Sequence, residues 1–269
     1  MHRHKYQFAD KVALVTGGTD GIGLAAARDF IGSGARVLVA GRNVERGERA
    51  LRELNELAGS DGRAHFLSTD VGQADQVERM VETCLSVFGR LDFAVNNAAA
   101  EFPLVDMAEI PVESVDLSIA VDLRGAWLCM KHEIAAMLKN EENEAGLRGA
   151  IVNVSSVNGF ASSPKAAMYS ATKHGMNGLG AAAAREYIGR GIRINTVCPG
   201  AIETPRRQRR LTGFTTEQIE AHYAKVASDV PLGRVARAEE VSAGILWLCA
   251  DDSSYVVGHE LVIDGGLSA

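Results

Sequence analysis

The chain lacks the features that mark several protein classes. No apolar run approaches the length of about eighteen residues that a membrane-spanning helix needs, so no membrane partner is expected. There is no basic excess. Lys+Arg number 28 against 34 Asp+Glu, and a net charge of −6 argues against nucleic acid as a partner. The four cysteines, Cys84, Cys129, Cys198 and Cys249, are far apart in sequence. That excludes zinc-finger spacing and a redox CxxC pair, and no metal site is expected. Cys84, Cys129 and Cys249 stand among apolar residues at helical spacing, as core thiols do. Residues 1–10 lack the apolar centre of a secretory signal, so a cytoplasmic, reducing location is expected. His2 and His4 are read as part of a frayed, solvated arm rather than a metal-binding one.

Nor is there a composition break, an internal repeat or a low-complexity tract. The expectation is an arm at 1–10 and one domain at 11–269, with 46% hydrophobic residues for its core. What is present is alternation. Apolar runs of strand length are predicted at 12–16, 36–40, 64–68, 93–96, 151–155, 192–197 and 261–264. Between them, helical periods are predicted at 22–30, 44–57, 76–88, 115–139, 169–188 and 241–248. Near-continuous Val/Ile/Leu strands alternating with helices specify a doubly wound α/β fold: a seven-stranded, Rossmann-like parallel sheet between two helical layers. Residues 139–149 are charged and read as a surface insertion. Residues 204–231 form the longest stretch without a strand and are expected to be a lid over a site.

The first predicted strand runs into TGGTDGIG at residues 16–23 and then into a helix. A strand, a glycine-rich turn and a helix start together aim backbone N–H groups and the positive helix end at a phosphate. Gly17 suits a tight turn, Gly21 a close approach to a pyrophosphate, and Gly23 the packing of helix on strand. The second strand ends Ala40-Gly41-Arg42-Asn43, without the acid that would hold both ribose hydroxyls. Arg42 is suited to a 2′-phosphate, which favours NADP(H) with NAD(H) as the lesser possibility. Asp20, in the glycine turn, counts against that choice because its charge would repel the phosphate.

Tyr169 and Lys173 stand four apart, on one face of a predicted helix. A phenol is a weak base near neutral pH, and a neighbouring ammonium favours its phenolate form. Ser156 ends the fifth predicted strand, and Asn96-Asn97 the fourth. In an open parallel sheet these strand ends and the glycine turn share one edge, where ligands bind.

These motifs, with Asp70-Val71, NNAA at 96–99, Pro199-Gly200, Thr204 and DGG at 264–266, resemble the short-chain dehydrogenase/reductase family, compact soluble branch, over residues 11–266. The resemblance implies an NAD(P)-dependent oxidoreductase that moves a hydride between a carbonyl and a secondary alcohol. Tyr169 would be the acid/base, Ser156 would hydrogen-bond the substrate oxygen, and Lys173 would bond the nicotinamide ribose. The turn from Gly17 through Thr19, Asp20, Gly21, Ile22 and Gly23 would hold the pyrophosphate. Asp70 and Val71 would meet the adenine, and Asn97 and Ala98 the adenosine ribose. Pro199, Gly200, Ile202 and Thr204 would hold the nicotinamide end. Asn96 is expected to be structural. The resemblance also implies a dimer or tetramer through the predicted helices 115–139 and 169–188.

Two departures stand out. NNAA replaces the family's usual NNAG, and Asp122 takes the place of its Asn. An Asp there adds a negative charge that would hold the Lys173 ammonium and offset its pull on Tyr169. A different class of function, a catalytically silent dinucleotide-binding sensor, would have no need of Ser156, Tyr169 and Lys173 together. Glu101, Phe102, Asn158, Phe160 and Met168 are expected to line the substrate pocket with the lid. Arg206, Arg207, Arg209 and Arg210 are read as a solvated charge run, with attraction of an anionic substrate or of cofactor phosphates as the alternative.

Overall fold

The computed structural model describes residues 6–269. Seven strands form one parallel sheet: β1 (Val12–Thr16), β2 (Arg36–Gly41), β3 (Ala64–Ser68), β4 (Phe93–Asn96), β5 (Gly149–Val154), β6 (Ile192–Pro199) and β7 (Glu260–Ile263). Their spatial order is β3-β2-β1-β4-β5-β6-β7. Every pairing is parallel, with Thr16 opposite both Ala40 and Asn96. The seven predicted strands are all present, extended by one or two residues at several ends.

The strands read as unbroken apolar runs because both faces of the sheet are covered. Ala13 and Val15 of β1 pack into one cluster under α1 (Gly21–Gly32), α2 (Val44–Ala58) and, near the C-terminus, a helix at Ala238–Cys249. Val12 and Leu14 face the other way, against α3 (Ala74–Phe88) and a long helical run at residues 112–137. A third helical segment, Ala167–Tyr187, also covers that second face. The three layers follow from this alternation.

Two expectations are corrected. The single helix predicted at 115–139 is a composite of α4 (Val112–Ser118), a wider π-helical turn at Ile119–Arg124 and α5 (Gly125–Met137). The Gly125 N–H reaches back to the Ala120 carbonyl, five residues away. One residue too many is thus accommodated within the turn, and Asp122 lies in it, buried. The arm is also not frayed throughout. His2 and His4 lie outside the described residues, but Phe8 is buried and its ring packs on Phe93 and Phe30 at 4.8 and 5.8 Å. The apolar area of an aromatic ring outweighs the entropy of fixing the short segment that carries it.

The remaining helices are α6 (Ala167–Tyr187), α7 (Pro205–Arg209), α8 (Thr216–Asp229) and α9 (Ala238–Cys249). Helices α7 and α8 occupy the stretch predicted as a lid. All four cysteines are buried and unpaired. Among the described residues, no helix is long and apolar enough to cross a membrane.

Candidate active site

The order in which strands are added reverses between β1 and β4, and a cleft of about 610 Å³ opens at the carboxyl ends of the strands there. One end of it is the glycine turn. Gly17 and Gly21 have φ of +62° and +55°, a region that side chains avoid. A Cβ on Gly17 would meet the Asn97 amide at 2.7 Å, and one on Gly23 would meet the Gly17 carbonyl at 2.3 Å. Asn97 holds the turn by donating from Nδ2 to the Thr16 and Gly17 carbonyls at 3.1 and 3.0 Å. The N–H groups of Asn97 and Ala98 donate to the Thr16 hydroxyl. Helix α1 begins behind Asp20, with neither a side-chain cap nor an acid in its first turn. Its N-terminal N–H groups are therefore unopposed, as a pyrophosphate requires. These features fit a dinucleotide.

The other end is built on α6. Lys173 is 1% exposed, and its Nζ donates to the Val154 carbonyl at 2.8 Å. That ammonium lies 5.7 Å from the centre of the Tyr169 ring, one helical turn before it. Ser156 follows β5 in extended backbone, and its hydroxyl accepts from the Asn158 N–H at 3.1 Å. The Asp122 Oδ1 accepts from the Ala100 N–H at 2.7 Å, which ties the π turn to the loop after β4. Its Oδ2 has no hydrogen bond of good geometry among the described residues, with the Thr172 hydroxyl its nearby polar neighbour. Burial pushes the Asp122 carboxyl above the ordinary carboxylate range, against the opposing pull of Lys173.

Gly17, Asp20, Gly21, Ile22, Asn97 and Ala98 all line this cleft, as do Tyr169, Lys173, Pro199, Gly200, Ile202 and Thr204. Thr19 and Gly23 are buried beneath the turn. Asn96 points into the core, where its Nδ2 donates to Glu133 and Asn153 at 3.0 and 3.1 Å. The DGG turn is a support. A Cβ on Gly200 would meet Asp264 at 2.7 Å, and the Gly200 N–H donates to the Ile263 carbonyl. Asp70 accepts from the Gly72 N–H and Val71 is buried; neither lines the cleft, and nor do Ser156 and Asp122. Arg42 is exposed at the end of β2, with no ion pair among the described residues.

Three readings change. Phe160 is 41% exposed and outside the cleft. Met168 lines a separate crevice with Ile110 and Ser118, because one residue along a helix turns a side chain by about 100°. Glu101, Phe102 and Asn158 do line the cleft. The four arginines after Thr204 all line it, Arg206 and Arg207 half-buried and Arg209 and Arg210 still exposed at its open side, so the run is solvated only in part. The Thr204 hydroxyl caps the short helix α7 that carries the first three of them. Arg206 donates to the Ala100 carbonyl, and its guanidinium carbon stands 5.7 Å from the Tyr169 ring centre. Phe102 stacks on Tyr169 at 4.4 Å.

Sequence reasoning also missed Arg46, whose Nη1 pairs with the Asp20 Oδ2 at 3.0 Å. Arg209 pairs with the same oxygen at 3.1 Å. The charge that counted against a 2′-phosphate is thereby answered twice. The available signal was proximity in sequence, since Arg46 stands in the first turn of α2, four residues after Arg42.

Residues 17–268 match the family model described as enoyl-(acyl carrier protein) reductase. The chain is 36% identical over 259 residues to 2,5-dichloro-2,5-cyclohexadiene-1,4-diol dehydrogenase of Sphingobium indicum, covering 96% of this chain and 97% of that relative. It is 38% identical over 264 residues to cis-4-hydroxycyclohexanecarboxylate dehydrogenase of Sinomonas cyclohexanicum, covering 97% and 98%. The crystal structure of levodione reductase superposes with a TM-score of 0.89 at 31% identity, covering 97% and 98% of the two chains. The chain belongs to the short-chain dehydrogenase/reductase family, and it is an NAD(P)-dependent oxidoreductase that transfers a hydride between a carbonyl and an alcohol.

Proposed function

We propose that this protein is a cytoplasmic, NADP(H)-preferring reductase of ring-bearing ketones and dehydrogenase of the matching secondary alcohols, with Tyr169 as its acid/base. The observation that carries the reading is that Tyr169 and Lys173 line the same cleft as the glycine turn. In reduction, a bound reduced nicotinamide supplies the hydride. Tyr169 gives its hydroxyl proton to the carbonyl oxygen as negative charge develops there. Ser156 donates a hydrogen bond to that same oxygen. The Lys173 ammonium, held by the Val154 carbonyl, offsets the charge left on the phenolate. In oxidation the proton returns to Tyr169. Asp122 acts on this pair through its charge and is a positioning residue.

The glycine turn from Gly17 to Gly23, with Thr19, Asp20, Gly21 and Ile22, receives the pyrophosphate. Pro199, Gly200, Ile202 and Thr204 receive the nicotinamide end. Asp70, Val71, Asn97 and Ala98 serve the adenosine. An unpaired Arg42, with Arg46 in the first turn of α2 and Asp20 already neutralised, supports the preference for a 2′-phosphate. Ring substrates are suggested by the names of the relatives. Residues 204–231 serve as a lid on a single catalytic domain. Trp127 and Ile119 are 46% and 41% exposed, and nothing lies within 4 Å of where a Cβ on Gly178 would stand. These features of α5, the π turn and α6 support assembly as a dimer or tetramer. Four unpaired thiols suit a reducing compartment.

The test is Tyr169→Phe, assayed by NADPH absorbance with a panel of cyclic ketones. Turnover should fall by about a hundredfold or more, with NADPH binding largely kept. A variant that keeps more than about a tenth of wild-type kcat refutes the assignment, because a lost acid/base costs more than that.

A further inference from the structure

Two guanidiniums in the cleft, those of Arg207 and Arg210, have no ion pair among the described residues, and only that of Arg210 also lacks a hydrogen bond. Arg209 is answered by Asp20 and by Glu101, the latter at 3.2 Å. Arg206 lies 3.5 Å from the other Glu101 oxygen. Arg207 donates from Nε to the Ile202 carbonyl at 3.2 Å. The Arg210 side chain forms no hydrogen bond or ion pair among the described residues. Its guanidinium carbon instead lies 4.3 Å from the centre of the Phe102 ring. Phe102 in turn stacks on Tyr169, with 15° between the planes. A guanidinium, a phenyl ring and the proposed acid/base thus stand in sequence along one wall.

Charge at this end is not balanced. Arg206 and Arg209 both pair with the one carboxylate of Glu101, which leaves Arg210 without an ion pair among the described residues. Arg210 is exposed at the open side of the cleft, and partial desolvation there, with the neighbouring Arg206 charge, pulls its guanidinium below its usual range. The remaining walls include Leu104, Leu211 and Phe214. A wall of this kind suits an apolar body that ends in a single negative group. Cofactor phosphate is a poorer match for Arg210. The arginines that reach the glycine turn are Arg46 and Arg209, whereas Arg210 stands on the Tyr169 side behind Phe102.

We propose that the substrate of this cleft carries a carboxylate and that Arg210, with Arg206 beside it, seats that group while the carbonyl or alcohol lies at Tyr169. The inference rests on the reading of the cleft as a ketone-reducing site.

Two measurements test it. In the first, 4-oxocyclohexanecarboxylate and its methyl ester are compared as substrates with NADPH. In the second, cyclohexanecarboxylate and cyclohexanecarboxamide are titrated calorimetrically into the enzyme saturated with NADP+. A charge-assisted bond to a guanidinium predicts that the acid is preferred over the ester, and the carboxylate over the amide, by about tenfold or more. Arg210→Gln should collapse both ratios by about the same factor, and Arg210→Lys should restore part of each. Equal use of acid and ester by the wild type overturns the inference and leaves the reductase reading intact. If neither ketone is reduced, that reading is in difficulty, and the calorimetric ratio still decides whether the cleft takes carboxylates. Weaker NADPH binding by Arg210→Gln, with unchanged ratios, assigns Arg210 to the cofactor and overturns the inference as well.

Discussion

Glu133→Gln should make the protein more resistant to heat at pH 9 and change it little at pH 5. Glu133 lies on α5 and is fully buried; its Oε2 accepts from the Asn96 amide at 3.0 Å. Its Oε1 and the Asn96 Oδ1 have no partners among the described residues. Burial pushes its carboxyl from 4.5 up to about 8, the Asn96 hydrogen bond opposing only in part. The folded protein therefore holds a proton that the unfolded chain releases near pH 4.5. The contribution of this proton to stability is fully present below the unfolded value and is lost as pH rises through about 8. At about 1.4 kcal/mol per pH unit, the full window corresponds to at most about 5 kcal/mol. Relaxation and water entry around a buried charge reduce this to about 2–3 kcal/mol. A glutamine keeps the acceptor for Asn96, cannot ionise, and offers N–H groups to the unpartnered Asn96 Oδ1. For a chain of this size the expected gain at pH 9 is about 4–8 °C in Tm, followed by circular dichroism at pH 5, 7 and 9. Other titrating groups are common to both proteins, and burial keeps the nearby Cys84 thiol at about 12, outside the range. Parallel Tm profiles for the wild type and the variant would refute the reasoning.

Other outcomes follow from the cleft. Arg42→Ala should weaken NADPH binding by about tenfold and NADH binding much less, measured by fluorescence titration; equal affinities of the wild type for the two cofactors would contradict the preference. Asp122→Asn should remain active and move the pH profile of alcohol oxidation toward acid, because the charge that offsets Lys173 is gone; an unchanged profile would mean that the carboxylate is not coupled to Tyr169. Light scattering at micromolar concentration should give a dimer or tetramer, and a monomeric mass would count against assembly through α5 and α6.

Local order in the sequence determined a great deal. Strands that are apolar at every position, alternating with helical periods, specify a parallel sheet covered on both faces, and that is the fold observed. The glycine turn was legible because its conformation needs residues without a Cβ at adjacent positions. Tyr169 and Lys173 were legible because a helix places residues four apart on one face. What tertiary structure alone decided are contacts between residues distant in the chain. Arg206 reaches the Ala100 carbonyl, 106 positions away, only because α7 folds over the loop after β4. Arg210 meets Phe102 by the same route, so a charge run that reads as solvated becomes a wall of the cleft. Glu133 and Asn96 are 37 positions apart and share a buried hydrogen bond because α5 packs behind β4. Asp122 faces inward because the helix widens by one residue at Ile119–Arg124. Hydrophobic period carries no trace of that widening: it shifts side chains by a fraction of a turn, and only packing against Val71 and Ala100 selects it.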